Sequence, residues 1–557
     1  MAREGVTQES LSNILDCIDS QNSFLLEAGA GSGKTWTLIE SLKYILSKKI
    51  DFLESKNKHI VCITYTNVAK NEISERIDKN PLVLVLTIHD FLWSVISNYQ
   101  MELKQILIEN NALAAKPIED LGAVLKNRKI EYSPYGKNLL RGQITHDDVI
   151  AAATIIFGQY PKIAKIVSDK YPYIFVDEYQ DTEPQTVSLL LENLLRLQLG
   201  KMTLGLFGDS MQKIYTKGVG RVDSDLLTKI TKVENFRCSL QVIGLLNKIR
   251  AELKQIPAGK NLDGEIQFFH CNNCLTKSDN YEKVKQYLET KKGWNFSTKT
   301  KILQLTHKGI AKRLGYEKLL GVYGNLSSFG RDRLMDKDEA FSDFFLSKVE
   351  PLAYYYSIKD YSSFLKLLFT DGRQLRNTSD KQVIKEIMEG LEKVRNSGTV
   401  KDVYEYVLDK KLLIKPSKIE ELEYVINKTS LEESEEKKKT FYHALMNLSY
   451  KEIIGINNFI DDSTPFSTKH GVKGAEYDDV VIIIDDGSWN QFNFNNVFSS
   501  DKSNLGRYDR TLNLLYVCCS RAKNKLAVIT LSRIDLKALS NIENWFEKDK
   551  VFDVASL

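Results

Sequence analysis

No stretch of about 18 consecutive apolar residues occurs in this 557-residue chain, so the sequence offers no membrane-spanning helix. The first ten residues, MAREGVTQES, are polar and lack the apolar stretch of a secretory leader. Cysteine is sparse: seven, an odd number scattered along a long chain, do not make a disulfide framework. Neither sign of charge dominates, since 77 Lys+Arg stand against 73 Asp+Glu for a net charge of +4. That balance neither demands nor excludes a nucleic-acid partner. Internal repeats and long low-complexity tracts are missing too. What is present is ordinary globular usage, 43% hydrophobic and 27% charged. At roughly 150 residues per domain, the length suggests about three or four domains. The expectation is a cytoplasmic, multi-domain protein with no membrane partner.

Chemistry begins near the N-terminus. Ser23 to Leu26 reads as a short buried strand, the glycine cluster after it as a tight loop, and Thr37 to Leu46 as an amphipathic helix. Gly29, Gly31 and Gly33, with Ser32 among them, let the backbone fold closely around phosphates with its N–H groups pointing inward. The helix N-terminus adds partial positive charge at the same point. Lys34 would reach the β- and γ-phosphates, and Thr35 would hold Mg²⁺. The pattern G-x-x-x-x-G-K-[ST] is met except at its first position, where Ala28 stands.

A phosphate loop alone does not separate a kinase, a GTPase and a motor; the partner residues do. In YPYIFVDEYQDTEPQ an apolar strand runs directly into adjacent acids. Asp177 at the strand end can bind Mg²⁺, and Glu178 beside it can take a proton from an attacking water. This division of labour suits phosphoryl transfer, where positioning and charge neutralisation supply most of the rate. A second apolar strand, Thr203 to Phe207, runs into GDSMQKIY, which places Gln212 where it could sense a γ-phosphate.

AGAGSGKT, ITYTNVAKNEISERI, TIHDF, VDEYQD, GDSMQKIY, ENFRCS, TKHGVKGAEYDDVVII and LLYVCCSRAK follow one another between residues 28 and 529. In this order they resemble the successive motifs of superfamily 1 DNA helicases of the UvrD/Rep/PcrA type, in which Ala is common at the first loop position. The resemblance implies an α/β fold of two RecA-like P-loop lobes with parallel sheets, each carrying a mainly helical insert, and ATP held between the lobes. Arg237 in ENFRCS would contact the γ-phosphate, and Arg521 in CCSRAK would act as an arginine finger from the second lobe. Phe236 resembles the aromatic that stacks on adenine, Glu476 the acid that binds the ribose, and Gln8 the adenine-reading glutamine, though here a longer segment separates it from the loop. Trp36 stands where relatives often carry arginine, and either stacks on the base or belongs to the core.

The same resemblance puts Thr64, Tyr65, Asn67, His89, Phe91, Tyr215, Thr468 and His470 on a face that binds single-stranded DNA. Such a face needs phosphate contacts and flat side chains for stacking, and Tyr65 and Tyr215 are the expected stackers. Relatives follow the tyrosine of GDSMQKIY with an aromatic-Arg-Gly-Ala run, whereas this chain has Thr216-Lys217-Gly218. Lys217 could bind a phosphate but would separate bases less firmly, so this departure bears on unwinding rather than on ATP hydrolysis.

The expected layout assigns 1–95 and 146–255 to the first lobe and 256–334 and 451–557 to the second. A small helical insert would occupy 96–145, and an all-helical accessory insert 335–450, where Glu433 and Lys437, and Glu435 and Lys439, sit at i,i+4. Cys271 and Cys274 have no second pair to complete a zinc site. Two functions fit. One is ATP- and Mg²⁺-dependent translocation on single-stranded DNA with unwinding at duplex junctions, 3′ to 5′ by resemblance. The other is a DNA-sensing ATPase subunit, similar to the compact helicase-like subunits of phage-defence systems such as Gabija, whose partner is an OLD-type nuclease.

Overall fold

Fully buried, mostly apolar segments decide the first sheet. FLLEA, IVCIT and YIFVD have no exposed position, as expected of strands covered on both faces. In the computed structural model the sheet comprises β1 (Phe24–Ala28), β2 (Ile60–Thr64), β3 (Val83–Thr87), β4 (Tyr173–Asp177), β5 (Thr203–Gly208) and β6 (Thr228–Lys232). They lie in the order β3-β2-β4-β5-β1-β6, and every pairing is parallel. The C-terminal ends of β1, β4 and β5 therefore open on one edge, where ligands collect in open parallel sheets. The structure describes residues 2–64, 67–113, 117–133, 137–213, 217–271, 276–304, 307–327, 330–370, 378–428, 430–461, 466–467, 475–486 and 491–557.

Packing beneath this edge is tight. Phe24, Phe175 and Phe207 meet edge to face with ring centroids 5.4 to 5.9 Å apart. Gly205 lies opposite Phe24 in the register, and a Cβ there would come within 2.6 Å of the Phe24 ring. The glycine is thus what lets β1 and β5 pair with that ring between them.

The chain divides into two compact units. The first takes in Met1–Leu288, Lys473–Val480 and Asp485–Leu557. Besides the sheet above it holds β7 (Glu265–His270), followed later in the chain by Ala522–Thr530 and Val551–Asp553, both parallel to it. Residues after β3 form the helices Gln100–Ala112 and Leu121–Lys126 and the short parallel pair Glu131–Tyr132 with Gln143–Ile144. The second unit, Glu289–Val472 and Val481–Ile484, contains β8 (Thr300–Gln304), paired in parallel with Phe466–Ser467. Val481–Ile484 is also strand, and the other described residues of the unit are mainly helical around a core that includes Tyr323, Phe344, Leu391, Val403 and Phe441. One charged pair is buried there: Arg395 donates through Nε and Nη2 to Glu350, at 3.0 and 2.6 Å, and Tyr450 donates to the same carboxylate. The fold is α/β, two RecA-like parallel sheets with mainly helical inserts.

Two sequence expectations shift. The helix after the glycine loop begins at Lys34 rather than Thr37 and runs to Ser55, because Gly33 adopts left-handed geometry and caps it. Glu433 does bind Lys437, at 2.8 Å, but Glu435 turns back to Lys428 at 2.9 Å and to the Glu432 amide instead of reaching Lys439. A capping position and a cation on the preceding turn win over the helix face. Among the described residues, no helix is long and apolar enough to cross a membrane.

Candidate functional site

The glycine loop leaves β1 and enters its helix with Gly31 at φ +69° and Gly33 at φ +79°, a region L side chains rarely adopt. Space is as restrictive as backbone. A Cβ on Gly29 would lie 2.3 Å from Gln255 Nε2, and one on Gly31 2.7 Å from Arg237 Cβ. Gly33 supplies no side-chain cap, so the first-turn N–H groups of a 22-residue helix have no side-chain acceptor there. Ser32 Oγ is buried without a hydrogen-bond partner. Unclaimed donors, an orphaned hydroxyl and the half-buried Lys34 and Thr35 beside them fit a polyphosphate.

Asp177 ends β4 and is 7% exposed. Its Oδ1 accepts from the Glu178 amide at 3.0 Å. Glu178 itself has φ +51°, a left-handed backbone that costs a non-glycine residue about 1–3 kcal/mol. The turn sends the two neighbouring carboxylates in different directions, and Gln180 Nε2 holds Glu178 Oε2 at 2.5 Å. Among the described residues, no three His, Cys, Asp or Glu side chains converge as a metal cage. Mg²⁺ in general is bound by one or two carboxylates together with substrate phosphates.

Gln212 follows β5, and its Nε2 donates to Asp209 Oδ2 at 2.8 Å. Arg521, 1% exposed, donates from Nη2 to Gln212 Oε1 at 3.1 Å, from Nε to Val517 O at 3.0 Å and from Nη1 to Ala475 O at 3.4 Å. Burial, with the nearby Arg237, pulls the Arg521 guanidinium down to about 10, against the attraction of Glu178. It stays charged at neutral pH. Arg237 pairs with Glu476 at 2.7 Å and also donates to Ser520 O. Phe236 and Trp36 are exposed, 43% and 44%, so neither is a core residue. Gln8 lies on the helix Ala2–Asp19, with its side chain outside the described residues.

Of the residues expected on the strand-binding face, Thr64 and His89 meet at one cavity of about 280 Å³, which Asp177, Thr182 and Lys217 also line. His89 is pushed down to about 4 by burial and by His146, whose tilted ring has its centre 4.2 Å away. Lys217 is exposed, 3.7 Å from both Asp147 and Glu183. Phe91 departs from expectation: it is fully buried and packs edge-on against Tyr171, because the helix Ile88–Ile96 turns that face to the core. Phe91 is a core residue. Phe91→Ala should cost about 3–5 kcal/mol of stability, measured by denaturant titration. Tyr65, Tyr215, Thr468 and His470, and the Asn67 side chain, lie outside the described residues. Cys274 does too, while Cys271, Cys518 and Cys519 are buried.

Sequence reasoning missed four neighbours of the loop: Glu27, Arg250, Gln255 and Tyr516. Gln255 Nε2 donates to Ala30 O at 2.7 Å, and Tyr516 Oη accepts from the Ala30 amide at 3.2 Å. The available signals were a lone acid inside an apolar strand and an arginine closing an amphipathic helix.

A glycine loop at a helix N-terminus, with acids at the end of a neighbouring strand and arginines from later in the chain, defines a P-loop ATPase of the helicase-like class. Comparison with known proteins agrees. The AAA domain family matches residues 13–218. Gabija protein GajB of Bacillus cereus (strain HuB5-5) is 26% identical over 668 aligned positions, which take in 95% of this chain and 96% of that protein. The ATP-dependent DNA helicases PcrA of Staphylococcus aureus (strain Mu50) and Bacillus subtilis (strain 168) are 24% and 26% identical. They align with 48% and 47% of this chain and with 43% and 40% of their own lengths. The chain is thus similar to UvrD/PcrA-like superfamily 1 helicases over about half its length and to Gabija GajB over nearly all of it.

Proposed function

We propose that the protein hydrolyses ATP and uses it to move along single-stranded DNA, opening duplex at junctions. The observation that carries this reading is the 3.1 Å contact of Arg521 with Gln212. An arginine from the C-terminal part of the chain meets a side chain at the nucleotide edge of the first sheet, so hydrolysis can depend on how these parts are arranged.

In this reading Gly29, Gly31, Ser32 and Gly33 wrap the phosphates, and Lys34 neutralises the β- and γ-oxygens. Thr35 and Asp177 would hold Mg²⁺, which when bound offsets charge on the phosphate oxygens. Glu178, oriented by Gln180, accepts a proton from the attacking water. Gln212 and Arg237 contact the γ-phosphate, and Arg521 stabilises the charge that develops there. Phe236, Trp36 and Gln8 face the base, and Glu476 faces the ribose. Thr64, Tyr65, Asn67, His89, Tyr215, Lys217, Thr468 and His470 form the DNA face, with neutral His89 acting as a stacking surface. The division into lobes 1–95 with 146–255 and 256–334 with 451–557, with inserts 96–145 and 335–450, belongs to the same proposal, as do 3′-to-5′ movement and a cytoplasmic location.

A second reading is favoured by Lys217. It stands in place of a base-separating aromatic and is engaged by two carboxylates. In this reading the protein senses DNA, hydrolyses ATP and regulates a partner nuclease of the OLD type, with weak unwinding. The GajB similarity over nearly the whole chain supports it. ATPase assays with and without single-stranded oligonucleotide, run beside strand displacement on either tail, separate the two. Stimulated hydrolysis with displacement of one tail polarity supports the motor. Stimulated hydrolysis without displacement supports the sensor. Hydrolysis indifferent to DNA rejects both.

A further inference from the structure

Arg250 follows the helix Leu240–Ile249 and is 2% exposed. Its Nη2 donates to Glu27 Oε1 at 2.6 Å and its Nη1 to Asp209 Oδ1 at 2.7 Å, while its guanidinium carbon lies 5.8 Å from the Tyr516 ring centre. Each of these partners leads to a group of the nucleotide site. Glu27 stands two residues before Gly29 and also accepts from Tyr179 Oη at 2.6 Å and from Ser210 Oγ at 2.6 Å. Asp209 holds Gln212 at 2.8 Å, and Gln212 meets Arg521. Tyr516 accepts the Ala30 amide of the glycine loop.

We propose that Arg250 is a positioning residue for hydrolysis, fixing Asp209 and hence the Gln212–Arg521 contact in register with the glycine loop. The proposal rests on the ATPase reading above. A buried ion cluster is a poor source of net stability, because desolvation offsets most of the attraction. Stability alone therefore does not account for a guanidinium placed where its three buried neighbours, Glu27, Asp209 and Tyr516, lead to the loop and to Gln212 and Arg521. Two buried carboxylates, Glu27 and Asp209, face this one guanidinium, and the exposed Glu252 carboxylate lies 3.6 Å from its Nε. The other cation acting on Asp209 is Lys34, whose charge a bound phosphate would draw on. Arg250 then remains the counter-charge that keeps Asp209, and through it Gln212, in place. The fixed fork of an arginine spans two carboxylates, which a lysine ammonium cannot match.

Full-length wild type, Arg250→Lys, Arg250→Met, Gln212→Ala and the Arg250→Met/Gln212→Ala double variant are compared by thermal denaturation and by ATP turnover with saturating oligothymidylate. The expected result is a kcat loss of about 10²-fold in Arg250→Met. KM for ATP should stay within about threefold, with partial recovery in Arg250→Lys. The double variant should turn over no more slowly than Gln212→Ala alone. A purely structural arginine would lower the melting midpoint and leave the kcat of the folded fraction unchanged. If Arg250→Met fails to fold, Glu27→Gln, which keeps the volume and removes the charge, must show the same kcat loss. A folded variant with unchanged kcat, or losses that multiply in the double variant, overturns the inference alone. Absence of hydrolysis in the wild type overturns the ATPase reading and this inference with it.

Discussion

Glu178→Gln should lower ATP turnover by about 10²–10⁴-fold, the usual contribution of a positioned general base, while leaving nucleotide affinity nearly unchanged. The amide keeps the shape of the carboxylate, and Gln180 can rotate to hydrogen-bond it, so the left-handed turn that aims the side chain is undisturbed. What is lost is the capacity to accept a proton. Single-turnover hydrolysis beside equilibrium nucleotide binding separates the two effects. Full turnover in the variant would reject Glu178 as the base. Lys34→Ala should also abolish hydrolysis, but by weakening the hold on the phosphates, so the two variants differ in affinity.

Arg521→Ala should reduce turnover by about 10³–10⁵-fold if the arginine stabilises transition-state charge. Arg521 donates to Val517 and Ala475 carbonyls as well as to Gln212, so the variant also leaves buried acceptors to be satisfied by water. A thermal midpoint measured alongside separates that cost from the catalytic one. Arg521→Lys should rescue little, since one ammonium cannot make the three-way contact. Because the group stays charged to about pH 10, the wild-type rate should show no loss attributable to Arg521 between pH 6 and about 9. Wild-type turnover in Arg521→Ala, with or without DNA, would remove the physical basis of the coupling.

Much of this site was legible because its chemistry is local. Strand, glycine loop and helix are consecutive in the chain, and apolar runs that end in acids announce strand-end carboxylates. Phe91 was misread for a reason that sequence spacing cannot supply. In TIHDF, His89 and Phe91 lie on different sides of one helix turn, and only the packing against Tyr171 shows which side is core. Glu27, Arg250 and Tyr516 were missed because they meet across 223 and 486 positions of chain, as the Arg250–Glu27 and Tyr516–Ala30 contacts show. A lone acid in an apolar strand signals that a counter-charge exists, but not where in the chain it resides.

The pairing of Arg237 with Glu476 has a consequence of its own. The two groups meet at 2.7 Å, with Lys523 3.7 Å from the same carboxylate, so in the proposed ATPase a triphosphate that claims the guanidinium would also release the carboxylate from it toward a sugar hydroxyl. Recognition of the two ends of one ligand would then be a single exchange of partners. A bare phosphate or a bare nucleoside, able to make only half of that exchange, would have to break the pair without replacing both its members, so whole nucleotides should be preferred over their fragments.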